Sequence, residues 1–332
     1  MYERYISQLA HVKVVTPKIE ASLEFYKDVL GLEESGRTGG SVFLRGWGEN
    51  FYHSLELVEG RQPALAHIGW RAQGPEQLEQ AVKRIEAADG GLGWFDGNAG
   101  HGKAYRYRGP GGHEHHLFWD VTRFKPSAEQ APLFPNRPQR FNPRGVAARS
   151  LDHVTVATPD VVRDAEWYGE VLGHRYMEET VADPEANLGD TVVFGMTTVC
   201  ERSHDFGLVA DFSGATARVN HIAYWVDQRE ELRRAADVLL DADIAIEFGP
   251  GRHGMGEQDY LYCREPGGLR IELNSGGYKN YEPDFPVARW TPKQGSNVYY
   301  KNLKMPHSMY ESFPPADMSS AAENMARTTL FV

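Results

Sequence analysis

The chain has 332 residues, which is enough for two or more domains, each with its own hydrophobic core. Apolar residues make up 41% and charged residues 24%, as in ordinary globular proteins, and this composition argues against disorder. The formal net charge of −11 argues against nucleic acid or an anionic membrane as the main partner.

The first predicted elements are a strand, a Thr-Pro turn and a helix that ends at Val-Leu-Gly. They lie in LAHVKVVTPKIEASLEFYKDVLGLEESG, residues 9–36, where apolar side chains recur every three or four positions after the turn. Gly31 stands where a helix C-cap belongs. The same pattern returns in LDHVTVATPDVVRDAEWYGEVLGHRYME, residues 151–178, with Gly173 at the corresponding place.

Later elements of the chain repeat in the same register. AHIGWRAQGPEQLEQAVKRIEAADGG begins at Ala66 and matches NHIAYWVDQREELRRAADVLLDADI from Asn220. RGPGGHEHHLFWD from Arg108 matches REPGGLRIELN from Arg264. Each half therefore contains two units of strand, helix and further strands. We predict an α+β fold of two tandem domains, in each of which two βαβββ units form a curved mixed sheet around a cavity.

The domain boundaries follow from composition. The Pro-rich stretch KPSAEQAPLFPNRPQRFNPRG, residues 125–145, favours extended backbone and links the two halves. We place the N-terminal domain at residues 1–148, including this linker, and the C-terminal domain at residues 149–290. The tail, residues 291–332, mixes aromatic residues with Pro and Ser. It covers a pocket mouth, contacts another subunit, or is a loosely held terminus.

Three polar side chains share the strand face that the helices of the second domain leave uncovered. In HVTVAT, the side chain of His153 points away from the two valines. In HIAYWV and LRIELN, His221 and Glu272 likewise point away from their apolar neighbours. Two histidines and one carboxylate are the ligand set of a divalent first-row metal, and on one octahedral face they leave three positions open. A single strand-face histidine is usually a packed core residue, but three such residues at corresponding strands favour a metal site.

Several stretches of the second half resemble one family. LDHVTVATPD, VNHIAYWV and GPGRHG, followed by YLYCREPGGLRIELNSGGYKNYEPDFP, are similar to the type I extradiol catechol dioxygenases of the vicinal oxygen chelate superfamily, the superfamily of glyoxalases and bleomycin resistance proteins. The resemblance spans roughly residues 8–292 and is strongest in residues 149–290. It implies an enzyme of the catechol 2,3-dioxygenase type in aromatic compound degradation. Such an enzyme opens a catechol with O2 to a product of the 2-hydroxymuconic semialdehyde type.

The resemblance also implies roles for individual residues. It places the metal, Fe(II) or else Mn(II), on His153, His221 and Glu272. It places the proton-transfer groups at His204, His253 and Tyr262. Of these, His204 would donate a proton to the breaking O–O bond, and Tyr262 or His253 would take up or share a catechol proton. The expected partners are a catecholic small molecule, O2 and further copies of the chain in a dimer or tetramer.

The surroundings of the predicted site can also be read from the strands. A hairpin at REPGG would return Tyr262 alongside Glu272. Tyr260 shares that face and, as an aromatic strand residue, is interpreted as pocket wall rather than acid. Three other aromatic residues line an apolar ring pocket or belong to the core, namely Phe194, Trp225 and Phe248.

The N-terminal half of this family usually lacks a metal, yet here the repeat carries histidines at the corresponding positions. His11 aligns with His153, and His67 and His116 align with the other two predicted ligands. His53 and His101 fall near the counterparts of His204 and His253. These residues are either the remains of a duplicated site or a set that still holds a zinc- or iron-like ion. The stretch HEHH is also compatible with a polar hairpin strand.

The location of the protein is predicted from three absences in the sequence. No run approaches the roughly 18 apolar residues of a membrane span, and MYERYISQLA lacks the apolar region of a signal peptide. The two cysteines, Cys200 and Cys263, cannot form a disulfide framework. We therefore expect a cytoplasmic protein that binds neither nucleic acid nor membrane.

Three other functions compete with catechol cleavage. A glyoxalase-type lyase or isomerase usually carries glutamate in place of one histidine ligand, so the pair His153 and His221 argues against it. A resistance protein that sequesters a ligand would need no His204, His253 or Tyr262. Ring cleavage of a hydroquinone or an aminophenol stays open, because ring selectivity depends on pocket shape. The size of the substrate and the choice between Fe(II) and Mn(II) also stay open.

Overall fold

Two mixed β-sheets, one from each half of the chain, form the framework of the protein. The computed structural model describes residues 3–141, 144–182 and 188–315. The sheet of the first half has eight strands in the order β2-β3-β4-β1-β5-β8-β7-β6. Its strands are β1 Ile6–Thr16, β2 Glu33–Thr38, β3 Ser41–Arg45, β4 Leu55–Glu59, β5 Ala64–Ala72, β6 Gly91–Phe95, β7 Ala104–Arg108 and β8 Glu114–Phe118, and its helices are α1 Ile19–Glu24 and α2 Pro75–Ala87.

The sheet of the second half has nine strands among the described residues, in the order β14-β15-β16-β13-β9-β12-β11-β10-β17. Its strands are β9 Ser150–Thr158, β10 Arg175–Val181, β11 Val192–Thr198, β12 Phe206–Ala210, β13 Arg218–Trp225, β14 Ile246–Arg252, β15 Gln258–Arg264, β16 Arg270–Gly276 and β17 Ala288–Trp290. Its helices are α3 Val161–Leu172 and α4 Glu230–Asp241, and short 3₁₀ turns lie at Met255–Glu257, Pro292–Gln294 and His307–Tyr310.

The predicted repeat of four βαβββ units is confirmed by this order. In each sheet the first strands of the two units, β1 with β5 and β9 with β13, pair antiparallel at the centre. Each of these strands also pairs in parallel with the last strand of its own unit. The α+β fold class predicted from the sequence is therefore correct. None of the helices in the described part of the chain is both long and apolar enough to cross a membrane.

The first helix differs from its prediction. The sequence periodicity continues to Leu30, but the α-helix ends at Glu24 and gives way to a π-helical turn over Phe25–Val29. The N–H of Leu30 bonds to the carbonyl of Phe25 at 2.9 Å, five residues back. Phe25, Tyr26 and Leu30 are all buried in or next to this wider turn.

Gly31 and Gly173 follow their helices in the left-handed region, with φ of 80° and 72°. At Gly31 the backbone also passes so close to the carbonyl of Arg144 that a Cβ would overlap it. Glycine is therefore required there both for its φ and for the space it leaves.

Arg270, which forms a buried ion pair with Glu247, also holds the last described segment of the chain against the second sheet through hydrogen bonds. Arg270, which is fully buried, donates from Nε to Glu247 at 2.9 Å and from Nη1 to the carbonyls of Asn220 and Glu311 at 3.0 and 2.9 Å. The backbones of Val219 and Phe313 pair on the same side. A buried charge is tolerated only when it is paired and hydrogen-bonded in this way.

The Glu247 carboxylate predicts a specific acid sensitivity. Burial alone would raise its pKa, but Arg270 and Arg264 lower it from 4.5 to about 2. A carboxylate with a lowered folded-state pKa stabilises the fold above the pKa of the unfolded chain, and that stability is lost as the pH falls towards about 2. Glu247→Gln should remove this dependence, which is worth about 3 kcal/mol of unfolding free energy.

Urea unfolding at pH 5, 4 and 3 measures this effect. The wild-type unfolding free energy should fall more steeply over this range than that of Glu247→Gln. The exposed linker residue Glu129 provides the matched control, Glu129→Gln, which should keep the wild-type slope. Parallel curves for wild type and Glu247→Gln would contradict the assignment.

Candidate metal centre

Three side chains from three adjacent strands meet in the second sheet. His153 lies on β9, His221 on β13 and Glu272 on β16, and all three are buried. The Nε2 atoms of the two histidines are 3.1 Å apart, and each is 3.1 Å from Oε2 of Glu272. Among the described residues, this is the one group in which three ligand atoms of His, Cys, Asp or Glu lie within 4.8 Å of one another.

This geometry fits a divalent metal ion. Ligand atoms about 2.1 Å from an ion on one octahedral face lie about 3 Å apart, which is the separation found here. The second oxygen of Glu272, Oε1, is buried and has no hydrogen-bond partner in the protein. A buried carboxylate oxygen without a partner costs free energy unless a cation or water satisfies it.

Hydrogen bonds at Nδ1 orient the two imidazoles, whose Nε2 atoms lie near Glu272. Nδ1–H of His153 donates to Asp152 at 2.9 Å, and that carboxylate also accepts from Arg202 at 2.8 Å. Nδ1–H of His221 donates to Oδ1 of Asn220 at 2.8 Å. With both Nδ1 atoms engaged as donors, both Nε2 lone pairs are directed at the centre, as in metal sites whose outer partners fix the tautomer.

The pKa values of His153, His221 and Glu272 reflect their burial and the charges that they exert on one another. Burial lowers the pKa of His153, but Glu272 and Asp152 outweigh it and raise that pKa to about 9. Burial is the main reason that the pKa of His221 falls to about 4. Burial alone would raise the pKa of Glu272, yet the two histidines hold it well below its usual range. Because a cation displaces protons from the groups that bind it, its affinity for these three side chains would depend on pH.

His253 and Tyr262 form a second pair beside the cluster. Nδ1–H of His253 donates to the carbonyl of Asn297 at 2.7 Å, so its Nε2 accepts the hydroxyl of Tyr262 at 3.0 Å. Tyr262 lies directly opposite Glu272 in the β15–β16 hairpin, which confirms the register predicted from REPGG. Burial raises the pKa of Tyr262 and lowers that of His253, so both are neutral.

His204 lies just before β12 and faces the ring of His153. The two ring centroids are 4.1 Å apart with planes at 45°. Burial and then the neighbouring His153 hold the pKa of His204 well below its usual range. The turn around it is capped by Asp205, which accepts the backbone N–H of Val199 at 3.2 Å.

A cavity of about 140 Å³ opens onto all six of these side chains. Its apolar wall includes Val193, Phe194, Val209, Phe248, Met305 and Met309. None of the described residues that line it is a lysine or an arginine.

Two predictions about the aromatic wall need correction. Trp225 does not line the cavity, because it lies at the far end of β13 and pairs with Ser150. Tyr260 is not part of the lining either, since its ring is stacked behind the wall, 4.8 Å from Phe248 and 4.0 Å from His253. The part of the predicted tail that the structure describes, 291–315, lines the cavity, and residues 316–332 lie outside the described residues.

Sequence reasoning missed the groups that orient the ligands. Asp152 and Asn220 each stand immediately before a ligand histidine, so the dipeptides Asp-His and Asn-His were the available signal. Nothing local marked Asn297, because its carbonyl reaches His253 only through the folding of the tail.

The histidines that the sequence aligns with the predicted ligands are also close together in the N-terminal sheet, but their nitrogen atoms are arranged differently. Nε2 of His11 lies 3.1 Å from Nε2 of His67. His116 instead directs its Nε2 to Glu114 at 3.0 Å, so these residues do not reproduce the compact trio of the second sheet.

Comparison with known proteins gives one family. The profile of the Glyoxalase/Bleomycin resistance protein/Dioxygenase superfamily matches residues 8–117 and 150–273. Two similar sequences are each 36% identical to this chain. One is metapyrocatechase of Geobacillus stearothermophilus, matched over 86% of both chains. The other is manganese-dependent 2,3-dihydroxybiphenyl 1,2-dioxygenase of Geobacillus genomosp. 3, matched over 86% of this chain and 90% of that protein.

A similar solved structure is homoprotocatechuate 2,3-dioxygenase of Brevibacterium fuscum, in an anaerobic complex with 3,4-dihydroxyphenylacetate. It superposes with a TM-score of 0.80 at 26% identity, over 93% of each chain.

Proposed function

This chain belongs to the Glyoxalase/Bleomycin resistance protein/Dioxygenase superfamily, and we propose that it is an extradiol ring-cleaving dioxygenase with its metal on His153, His221 and Glu272. The family and the enzyme class predicted from the sequence are confirmed by relatives that are themselves ring-cleaving dioxygenases. The observation that carries the ligand assignment is the set of three ligand atoms, each 3.1 Å from the other two, at the end of an apolar cavity.

The reaction adds both atoms of O2 to a catechol. The ring bond beside one hydroxyl-bearing carbon breaks, and the product is a 2-hydroxymuconic semialdehyde. A divalent cation on the three ligands would bind catechol and O2 side by side and lower the pKa of the catechol hydroxyls. We propose Fe(II) as this ion. Mn(II) is the alternative, since it accepts the same ligands and one relative is manganese-dependent.

The pair His253 and Tyr262 receives the proton that the catechol gives up. Tyr262 already donates its hydroxyl hydrogen to Nε2 of His253. A catechol hydroxyl beside Tyr262 can pass a proton to the phenol oxygen while the phenol passes its own proton to His253. The carbonyl of Asn297 holds the imidazolium that results, because it accepts Nδ1–H of His253 at 2.7 Å.

His204 supplies a proton later in the reaction. Its lowered pKa makes it neutral at rest, so it must first take up a proton, and the second catechol hydroxyl is the available source. The charged imidazole would then stabilise reduced oxygen and return the proton as the O–O bond breaks. Its ring lies 4.1 Å from that of His153, a proposed metal ligand, and this proximity supports the role.

The cavity wall selects an uncharged catechol. A carboxylate on the ring would be buried beside Val209, Phe248 and Met309, where none of the described lining residues is a lysine or arginine to pair with it, and such burial costs several kcal/mol. Hydrogen, alkyl or aryl substituents would instead gain apolar contact, and the two methionines at 305 and 309 can adjust to their shape. Cleavage of an aminophenol by the same site is the second candidate, because such a ring is also uncharged. A homo-oligomeric state and a cytoplasmic location stay predictions.

Glu272→Gln tests the metal assignment. The neutral amide cannot supply the negative charge that stabilises a divalent cation beside two neutral imidazoles, so bound Fe(II) or Mn(II) should fall by at least tenfold and turnover should disappear. Metal analysis of the protein after anaerobic loading measures the first effect. The control is Glu282→Gln, which changes an exposed side chain of the same type. A fully metallated and active Glu272→Gln enzyme would contradict the assignment.

Isotope labelling tests the reaction and its substrate. Catechol turned over under ¹⁸O2 should give a yellow semialdehyde that contains both labelled atoms. Catechol and 4-methylcatechol should exceed 3,4-dihydroxyphenylacetate in kcat/KM by about 100-fold, because the cavity offers the carboxylate no partner. Formation of cis,cis-muconate would exclude extradiol cleavage, and equal kcat/KM values would exclude the proposed selectivity.

His204→Asn separates proton transfer from structure. The variant should retain its metal and bind catechol anaerobically with near-normal affinity, yet lose roughly 10²–10⁴-fold in turnover. Stopped-flow mixing of the anaerobic complex with O2 measures the ring-opening phase. If that phase ran at the wild-type rate, His204 could not be the acid. Loss of metal or of folding would instead indicate a structural role.

A further inference from the structure

A buried carboxylate on β10 is not used by the proposed reaction. Glu178 is 2% exposed, and the two oxygen atoms of its side chain accept three hydrogen bonds. Burial raises the pKa of Glu178, and the three hydrogen bonds act in the opposite direction. Because a carboxylate removed from water costs free energy unless donors compensate for it, the position of Glu178 calls for a physical reason.

The three donors come from three separate segments of the second domain. The N–H of Gly256 donates to Oε1 of Glu178 at 2.9 Å, and the hydroxyl of Tyr278 donates to the same oxygen at 2.6 Å. The indole N–H of Trp290, on β17, donates to Oε2 at 2.6 Å. A backbone N–H and an indole N–H can only donate, so both oxygens of Glu178 have to act as acceptors.

Gly256 belongs to the loop that carries His253. This loop, residues 253–258, is called the His253 loop, and the N–H of His253 donates to the carbonyl of Gln258 at its other end, at 2.9 Å. Gly256 and Glu257 lie in the left-handed region, with φ of 62° and 54°. A residue with a Cβ is uncommon in that region, so contacts from outside the loop have to hold Glu257 there.

The ring of Trp290 packs against the same loop. It lies so close to Gly254 that a Cβ on this glycine would come within 2.8 Å of the ring. The N–H of Gly254 also donates to the carbonyl of Gly295 at 3.1 Å, two residues before Asn297. The carbonyl of Asn297 accepts Nδ1–H of His253 at 2.7 Å. The indole that donates to the carboxylate is therefore in contact with the His253 loop, close to the segment that orients the imidazole.

The repeated framework does not itself require a carboxylate at this position. The repeat aligns Glu178 with Gly36 in the first half of the chain. The strands that contain them, β10 and β2, hold corresponding places, and each pairs antiparallel with the strand that follows it. Because the same strand forms in the first half without a carboxylate, we attribute Glu178 to the site beside it rather than to the fold.

We propose that Glu178 is a positioning residue, which acts through the His253 loop to keep Nε2 of His253 next to the hydroxyl of Tyr262. Glu178 itself does not line the cavity. Its effect on ring cleavage rests on the proposed function, in which His253 receives a proton that the catechol gives up. Trp290 acts in the same way, because it joins the carboxylate to the loop.

Glu178→Gln tests the proposal, because its amide nitrogen replaces one acceptor oxygen and cannot accept from an N–H donor. We expect kcat for catechol to fall roughly 10- to 100-fold, with bound metal and KM close to the wild-type values. Glu179→Gln is the matched control. Glu179 is the next residue of β10 and pairs with Arg289 of β17 at 3.0 Å, but it does not bond to the His253 loop, so this variant should keep the wild-type kcat.

A double-mutant cycle with His253→Asn separates positioning from a general loss of stability. If Glu178 acts through His253, Glu178→Gln should lower kcat no further in the His253→Asn background. An equal loss in both backgrounds would overturn the proposal, and so would a wild-type kcat in Glu178→Gln. If Glu178→Gln does not fold, Trp290→Phe, which keeps an aromatic ring and removes the indole N–H, decides in the same cycle.

A crystal structure of the variant decides the positioning role without any measurement of ring cleavage. Movement of His253 that takes its Nε2 beyond about 3.5 Å from the Tyr262 hydroxyl supports the proposal, and an unchanged contact at 3.0 Å overturns it. A wild-type chain that cleaves no catechol, together with a displaced His253 in the variant, would count against the proposed function and not against the role of Glu178.

Discussion

The structure depends on the pairing of one strand, β13, with β9 on one side and β16 on the other. The antiparallel pair with β9 brings His221 next to His153, and the parallel pair with β16 adds Glu272. Three buried polar groups that would each be costly alone become a single centre whose atoms are 3.1 Å apart. The proposed metal centre therefore depends on the backbone hydrogen bonds that hold the three strands in register.

The same strands couple the centre to the wall of the cavity. Asn220 accepts Nδ1–H of His221 and donates to the carbonyls of Met309 and Glu311, in the segment that lines the cavity. Arg270 donates hydrogen bonds to the carbonyls of Asn220 and Glu311 as well. The orientation of His221, a proposed metal ligand, and the position of the apolar wall therefore depend on shared hydrogen bonds.

The two halves of the chain carry different sets of side chains on one repeated framework. Both place two histidines on the paired central strands with the same separation. The second half adds a carboxylate, an open cavity and the pair His253 and Tyr262. The first half adds His116 and the enclosing ring of Phe118. The paired histidines are common to both halves, but among the described residues only the second half brings three ligand atoms close together.

The sequence by itself determined the repeat, the four βαβββ units and the strand faces, because these follow from local periodicity and from the spacing of turns. It also singled out His153, His221 and Glu272, since the family motifs and the alternation of strand faces both pointed to these three residues. Only the tertiary structure decided which aromatic residues reach the cavity. Phe194 lines it and Trp225 does not, although both stand on strands, because alternation fixes the face of a side chain but not its distance along the sheet from the site. The contribution of the tail, including the contact of the Asn297 carbonyl with His253, likewise depended on residues far apart in the chain, which no local pattern encodes.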